Sequence, residues 1–314
     1  MKISTIKLMV ALPVLFAFCS CKKSDASPNE ENTSYEVRKP TYQFNTTNWD
    51  DGWVSQIKDN WVEVNKGSVK VILHYPQAST SIMADPEPYV NNAWDILVAK
   101  RYSNLTGYKV VSPSLDYERA YLGYGTAVDN ATGKSVFLAL FKKGNSGWIE
   151  MISPDKNAFV SQFGVDPATI TWSSTGNIWN SMRAMSNYNR FAVAVTDIEK
   201  TGEWSNNFGS NTYYYSMYTG LGVGMSSYSS MEKFFFTGSN TYQWQIFAAN
   251  SSGGVTNTVQ AKSAGNFNLP NNWSTNFSNI EGSARTYLIW FAATKDGRIL
   301  FINGNPFTWV GKSQ

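Results

Sequence analysis

Cysteine and histidine are almost absent from this chain of 314 residues. Its two cysteines, Cys19 and Cys21, lie close together near the N-terminus, and His74 is its one histidine. From about Tyr42 onward the chain therefore has no cysteine for a disulfide, a thiolate nucleophile or a cysteine metal site. Zinc sites and Ser-His-Asp catalysis generally need more imidazoles than this. The alternating pattern of Val69–Tyr75 predicts a strand with His74 on the same face as Lys70 and Ile72. We expect a structural or surface role for His74, because a catalytic histidine needs an orienting partner that the sequence does not show.

An excess of charge of one sign is also lacking. The chain has 26 Lys and Arg residues against 23 Asp and Glu residues. Without Lys2 and Lys7, which fall in the predicted signal segment, the balance is 24 to 23. Such a balance argues against a nucleic-acid groove and against a strongly basic membrane patch.

The apolar run at the N-terminus is too short to predict a membrane-spanning helix. Leu8–Phe18 follows two lysines and has the length of a signal-peptide core. It ends at Phe18-Cys19-Ser20-Cys21, which resembles the lipobox of bacterial lipoproteins. Cys21 is the better match because it follows the small Ser20, whereas Cys19 follows a phenylalanine. The resemblance implies a signal peptide over residues 1–20 and a membrane anchor on Cys21; a plain secretory signal is the alternative.

Residues 21–41 form a predicted tether, because they are rich in Lys, Ser, Asn and Glu and have no apolar period. The start of this segment, Cys21-Lys22-Lys23-Ser24-Asp25, is similar to surface-export signals on lipoproteins of the Bacteroidetes. The similarity implies an outer-membrane protein that faces the cell surface. A periplasm-facing anchor is the alternative.

Residues 42–164 are predicted to form an α+β domain, an antiparallel sheet with helices on one face. Helical spacing is found in Pro88–Arg101, and a second helix is predicted from Pro154 with Ser153 as its cap. The order of strand, helix and long hairpin, and then Trp148–Asp155 leading into a helix, resembles the PsbP/DcrB-like α/β sandwich. That family implies an accessory or binding module with no shared catalytic set. The predicted strands are Trp61–Val64, Ser68–Tyr75, Tyr121–Val128, Ser135–Phe141 and Trp148–Ile152.

Residues 165–196 are predicted to be a linker with a helix, and residues 197–314 an up-and-down antiparallel β-barrel. In the linker, Ile178, Met182 and Met185 share one stripe, which favours packing between domains over a cofactor site. The barrel is predicted from short aromatic strands with turns at glycines. The strands are Tyr213–Tyr218, Lys233–Phe236, Thr241–Phe247, Val255–Lys262, Thr286–Ala292 and Ile299–Asn303.

The segment Thr201-Gly202-Glu203-Trp204, which precedes the barrel strands, resembles the Gly-x-Trp motif of lipocalin-like domains. The resemblance implies that Gly202 and Trp204 lie at the closed end of the barrel, under an arginine of a late strand. Arg298 is the matching position and Arg285 the second choice. The other family motifs and the usual disulfide are not present in this chain.

Strand alternation predicts which barrel aromatics share a face. Tyr242 and Trp244 lie on one face of their strand, and Tyr287 and Trp290 lie on opposite faces of another. These four are the ligand-binding candidates, for an apolar molecule or a sugar ring. The alternative is that the aromatic residues simply form the core.

No motif in the chain indicates a reaction. Gly220–Gly224 lacks the spacing of a phosphate loop, and the Ser-x-x-Lys matches at Ser153–Lys156 and Ser230–Lys233 lack companion motifs. The paired acids Asp50-Asp51, Asp85 with Glu87 and Glu30-Glu31 are interpreted as solvated loop residues. We therefore expect no catalytic residue, metal or cofactor. The leading hypothesis is a non-catalytic envelope lipoprotein that binds a small apolar molecule, a glycan or a protein partner. The alternatives are a structural subunit of an outer-membrane complex and an acid-base enzyme such as a glycoside hydrolase.

Overall fold

A computed structural model describes residues 51–80, 85–113, 118–144, 147–198, 202–215, 222–252, 255–295 and 297–311. All of them belong to one compact unit, Lys39–Gln314. The predicted signal peptide, Cys21 and the predicted tether lie outside the described residues. The unit has an antiparallel sheet with helices, followed by a closed antiparallel barrel, as the sequence predicts for the coarse fold.

The sheet has seven strands in the order β1-β2-β3-β7-β6-β5-β4, and all neighbours are antiparallel. Its strands are β1 Val54–Ile57, β2 Trp61–Lys66, β3 Val69–His74, β4 Tyr102–Val111, β5 Ala120–Asp129, β6 Ser135–Lys143 and β7 Ile149–Ser153. The turn between β5 and β6 includes Gly133 at φ 68°, a conformation that glycine adopts without strain. This hairpin is the one that the sequence predicts.

Helices pack on both faces of the sheet, so the prediction that they cover one face is wrong. Helix α1, Pro86–Leu97, packs on Ile72 and Leu140. Helix α2, Lys156–Phe163, packs on the other face, where it belongs to a cluster with Leu73. Both faces need cover because the central strands carry apolar side chains on each side.

The N-cap of α2 is Asp155 and not the predicted Ser153. The Asp155 carboxylate accepts a hydrogen bond from the backbone N–H of Ala158 at 2.8 Å. Gly164 ends the helix in the left-handed conformation, at φ 69°. A carboxylate suits this position because it meets both the free N–H groups and the positive end of the helix dipole.

The linker contains short helices and contacts both the sheet and the barrel. Trp179 stacks on Phe141 of β6 with ring centroids 5.7 Å apart, and Met182 is fully buried. Further along, Phe191 forms a two-way backbone bridge with Phe291 of the barrel, at 2.8 and 2.9 Å. The helices are the 3₁₀ turns Pro167–Thr169, Gly176–Trp179 and Met185–Tyr188, α3 Asn180–Ala184 and α4 Val195–Ile198.

The barrel is a meander in which each strand pairs with the next and the last pairs with the first. Its strands are β8 Gly202–Tyr215, β9 Gly222–Phe236, β10 Thr241–Ser252, β11 Val255–Asn271, β12 Ser274–Ile280, β13 Ser283–Thr294, β14 Gly297–Ile302 and β15 Asn305–Gly311. The sequence predicts the up-and-down topology but misses β12 and β15.

Aromatic rings fill the described part of the barrel interior. Phe234 lies at the centre, with ring centroids 5.1 Å from Phe277 and 5.4 Å from Phe307. Phe236 stacks on Phe234 at 5.8 Å. These four side chains and Trp204 are each less than 2% exposed. One hydrophobic cluster includes these rings, the linker and the α2 face of the sheet.

Candidate functional site

A buried carboxylate lies at the centre of the polar network of the sheet. Glu150 of β7 is 0% exposed and accepts hydrogen bonds from side chains of three different elements. His74 Nε2 donates to Oε2 at 2.9 Å, Tyr102 Oη donates to Oε1 at 2.9 Å, and Arg101 Nη2 donates to Oε2. Four acceptor sites on a carboxylate can satisfy these donors, so the group is paired as a buried charge requires.

The network holds Glu150 in its ionised form. Burial by itself would raise the pKa of Glu150, but the hydrogen bond from His74 and the charge of Arg101 lower that pKa below its usual value. The pKa of Tyr102 is raised, first by burial and then by the charge of Glu150. Tyr102 therefore stays a hydrogen-bond donor at neutral pH.

The backbone brings these side chains together from distant parts of the sequence. His74 ends β3, which pairs with β7, and it lies on the same face of the sheet as Glu150. Helix α1 leads through the 3₁₀ turn Ala99–Arg101 directly into Tyr102, the first residue of β4. Arg101 Nη2 also donates to the carbonyl oxygen of Leu97 at 2.6 Å, which fixes the guanidinium to the end of the helix.

A pocket of about 470 Å³ opens beside this network, and Arg101 and Tyr102 form part of its wall. We call it the sheet pocket. Its other walls include Trp61, and the Arg101 guanidinium lies between the two aromatic side chains, 5.1 Å from the Trp61 ring and 5.5 Å from the Tyr102 ring. The remaining polar lining consists of one cation and acid pair, Lys70 with Glu63, and of Asp129 and Asn130.

Two residues of the sheet pocket, Trp61 and Arg101, have N–H groups without a protein acceptor within the described part of the chain. The Trp61 indole N–H is buried without an acceptor. Arg101 uses only Nη2 in hydrogen bonds, and its side chain is 29% exposed. Asp129 Oδ1 accepts the N–H of Ala131 at 2.8 Å, while Lys70 Nζ lies 3.7 Å from Glu63 Oε2. The pocket thus combines aromatic surface with donors and acceptors that a ligand can use.

The sequence analysis missed this site, although it placed His74 on the correct face. It treated the histidine as lacking an orienting partner, and Glu150 is that partner. The available signal was a single acid inside the apolar segment Trp148–Ile152, because an unpaired charge in a buried strand is too costly to retain. Arg101 and Tyr102 gave no comparable signal.

The residues of the Gly-x-Trp segment lie around the linker end of the barrel. Trp204 is 1% exposed, and its ring centroid is 5.8 Å from that of Phe291. The Arg298 guanidinium lies 3.9 Å from the same Phe291 ring and donates to the carbonyl oxygen of Asp197 at 2.9 Å. Gly202, at φ 84°, begins β8.

The four ligand-binding candidates do not form one surface. Tyr242 and Trp244 are buried in the interior, where Trp244 Nε1 donates to Glu232 Oε1 at 2.8 Å. Tyr287 also faces inward, and the Phe277 ring lies between it and Tyr242.

Trp290 lies on the opposite face of its strand. Its ring stacks on Phe301 with a centroid distance of 5.1 Å, and the Arg190 guanidinium is 4.8 Å away. These contacts lie outside the aromatic interior of the barrel.

The outer face of the barrel has a groove of about 550 Å³ across β8 to β11. Its lining includes the aromatic residue Phe235, the amide residues Gln243 and Gln245, and the lysines Lys233 and Lys262. Lys233 is paired with Glu203 at 2.7 Å.

Described residues of the motifs that the sequence analysis discounted pair with other protein groups. Ser153 Oγ donates to the carbonyl oxygen of Asp155 at 2.9 Å, while Lys156 pairs with Asp166 at 2.8 Å. Asp51 accepts a hydrogen bond from the Tyr188 hydroxyl. Glu30, Glu31 and Asp50 lie outside the described residues.

Within the described ranges no three His, Cys, Asp or Glu side chains come together as a metal site. No helix in the part of the chain that the structure describes is long and apolar enough to cross a membrane. Comparison with protein-family models, with curated protein sequences and with solved structures finds no match to this chain.

Proposed function

We propose that this protein is a non-catalytic, lipid-anchored envelope protein that binds a polyhydroxylated ligand, such as a glycan, in the sheet pocket. The observation that carries the proposal is the lining of that pocket. Trp61 and Tyr102 offer aromatic surface, and Arg101, Asp129 and Asn130 offer planar polar groups for hydroxyl groups. Hydroxyl groups need both donors and acceptors at short range, and this pocket has both.

The buried network supports binding because it makes the wall of the pocket rigid before a ligand arrives. Arg101 is held by Glu150, by Leu97 and by the two aromatic rings, so little side-chain entropy is left to lose.

Two parts of the proposal rest on the sequence alone. The anchor on Cys21 and the outer-membrane location follow from the lipobox resemblance and the mixed-charge segment after it. The PsbP/DcrB-like and lipocalin-like identities of the two parts are likewise resemblances. The aromatic filling of the barrel favours the sheet pocket over an apolar cup inside the barrel.

A binding measurement tests the proposal. Residues 22–314, which retain the compact unit, are screened against a glycan panel, and positive glycans are measured by calorimetry. We expect saturable binding that Trp61→Ala weakens at least tenfold, or about 1.4 kcal/mol. Trp172→Ala, at a side chain that is 69% exposed, is the matched control and should bind like the wild type. Absence of saturable binding, or equal losses in the two variants, would refute the proposal.

One observation favours a second candidate, an acid-base glycoside hydrolase. Two carboxylates, Glu63 and Asp129, line the sheet pocket together. Glycosidases use such a pair, one on each side of the scissile bond. Each bound glycan is incubated with the protein for a long time and then analysed by chromatography. Only an enzyme releases shorter glycans, and Glu63→Gln should abolish that release. The structural-subunit alternative would be favoured by one stoichiometric partner that co-purifies from membranes.

A further inference from the structure

The strands of the barrel differ in length, and the difference leaves an unpaired strand edge. β10 and β11 pair without interruption from Thr241–Asn266 to Ser252–Val255. On its other side, β11 pairs with β12 only from Phe267 onward. Within the described part of the chain, residues 255–262 of β11 therefore pair on one side only. Backbone N–H and C=O groups along this edge are available to another strand.

This edge has few of the features that usually protect strand edges. From Val255 to Lys262 it contains no proline, and its pairing with β10 has no bulge. Lys262, at the end, is its one charged residue. The β-branched side chains of Val255 and Val259 are 60% and 62% exposed. A long, exposed and uninterrupted edge of this composition is expected to pair with a further strand.

We propose that this edge, β11 residues 255–262, pairs with the same edge of a second copy of the chain to form a two-fold dimer with antiparallel strands. A two-fold axis normal to the sheet places one residue opposite itself. Centring the pair on Thr258 joins two threonines, and centring it on Val259 joins two valines. Both are favourable cross-strand pairs. With Thr258 at the centre, Lys262 lies beyond the end of the partner's strand. With Val259 at the centre, Lys262 lies opposite Thr256 of the partner subunit. Like charges are therefore not paired in either register.

Among the described residues, β8 leaves a second edge of the barrel free. It pairs with β15 only near Glu203–Ser205, while its pairing with β9 runs without interruption from Gly202 to Tyr214. Pairing of the β11 edge with itself gives a closed dimer, whereas pairing of β11 with β8 of another copy would give an open chain. A sedimentation result with species larger than a dimer would therefore contradict the two-fold pairing.

Sedimentation equilibrium of residues 22–314, from about 1 µM to about 1 mM, tests the dimer. We expect a reversible monomer–dimer equilibrium, and Thr258→Lys/Val259→Lys should raise its dissociation constant at least tenfold because like charges then lie opposite each other. Val310→Lys is the matched control, since Val310 is also 62% exposed, and it should leave the equilibrium unchanged. Circular dichroism verifies that each variant is folded.

Disulfide trapping gives a second and independent readout. Residues 22–314 contain no cysteine, so a single introduced cysteine can only cross-link two copies. We expect Thr258→Cys or Val259→Cys, according to the register, to form a dimer on mild oxidation, because directly opposed residues meet the geometry of a disulfide. A chain that stays monomeric at all concentrations, or a dimer that survives the double lysine substitution, would overturn the proposal.

Discussion

Replacing Glu150 with glutamine tests whether the buried network supports the sheet pocket. The substitution keeps the shape of the side chain but removes its charge, and it turns one acceptor oxygen into a donor. His74, Arg101 and Tyr102 all donate to the carboxylate, so at least one of them loses its acceptor oxygen, and Arg101 loses its anionic partner. Removing one partner of a buried ion pair costs about 3–5 kcal/mol. Because Arg101 remains 29% exposed, we expect the lower end, about 3 kcal/mol.

Urea unfolding at pH 7 measures this loss. Glu118→Gln is the control, because Glu118 pairs with Arg183 at 3.4 Å with both side chains about half exposed. That change should stay within about 0.5 kcal/mol. A loss below about 1 kcal/mol for Glu150→Gln would refute the reasoning, since an ionised carboxylate with three donors cannot contribute so little.

The pH dependence of the same variant tests the sign of the effect. The pKa of Glu150 is lowered in the folded protein from the ordinary value of 4.5. The stability that this group contributes is therefore fully present above about pH 4.5 and is lost as the pH falls through the folded value. Glu150→Gln lacks this contribution at every pH. The difference between wild type and variant should narrow in acid, and a constant difference would contradict the pKa direction.

Three further predictions concern stability in the same urea assay. Burial raises the pKa of Glu232 above 4.5, so the stability that this group contributes is fully present below that pH and is lost as the pH rises through the folded value. Glu232→Gln should therefore stabilise the protein by up to about 1 kcal/mol at pH 7. A variant that is less stable than the wild type at pH 7 would contradict this prediction. Gly123→Ala should lower the free energy of unfolding by about 1–3 kcal/mol, because a Cβ there would lie 2.7 Å from a helix side chain. Gly238→Ala is the control, since a Cβ there has nothing within 4 Å, and it should change the free energy of unfolding by less than about 0.5 kcal/mol. Equal effects of the two substitutions would show that the close approach at Gly123 does not matter. Arg298→Lys should cost about 1–2 kcal/mol, since an ammonium cannot both cover the Phe291 ring and reproduce the bonds to Asp197, and an unchanged unfolding midpoint would count against this.

The sequence predicts those elements whose signals are local. The hairpin at Asp129–Gly133 follows from its turn residues, and the helix before Gly164 was predicted from Pro154, two residues before its first helical residue, although its cap was assigned wrongly. β4 gives no such signal, because Asn104 and Gly107 have positive φ angles and the strand shifts register twice, which removes its alternation. The helices on both faces were indicated by the apolar run Ser135–Phe141, although the sequence analysis did not use it.

The candidate site was beyond local reasoning. Glu150 follows His74 by 76 positions and Arg101 by 49, so only the strand order brings them together. The four aromatic candidates were chosen by strand alternation, which gives the face of each residue but not which faces meet across a closed barrel. A sequence pattern predicts the face of the strand on which a residue lies, but the tertiary pairing of strands determines which residues meet.

The linker affects both the folding and the degradation of the protein. It contacts the sheet through the stacking of Trp179 on Phe141 and the barrel through the bridge from Phe191 to Phe291. Neither the sheet nor the barrel can complete its hydrophobic core without the linker between them. We therefore expect one cooperative unfolding transition for the whole unit. Cleavage of the linker by a protease should therefore unfold both the sheet and the barrel, and we expect the two parts to be degraded together.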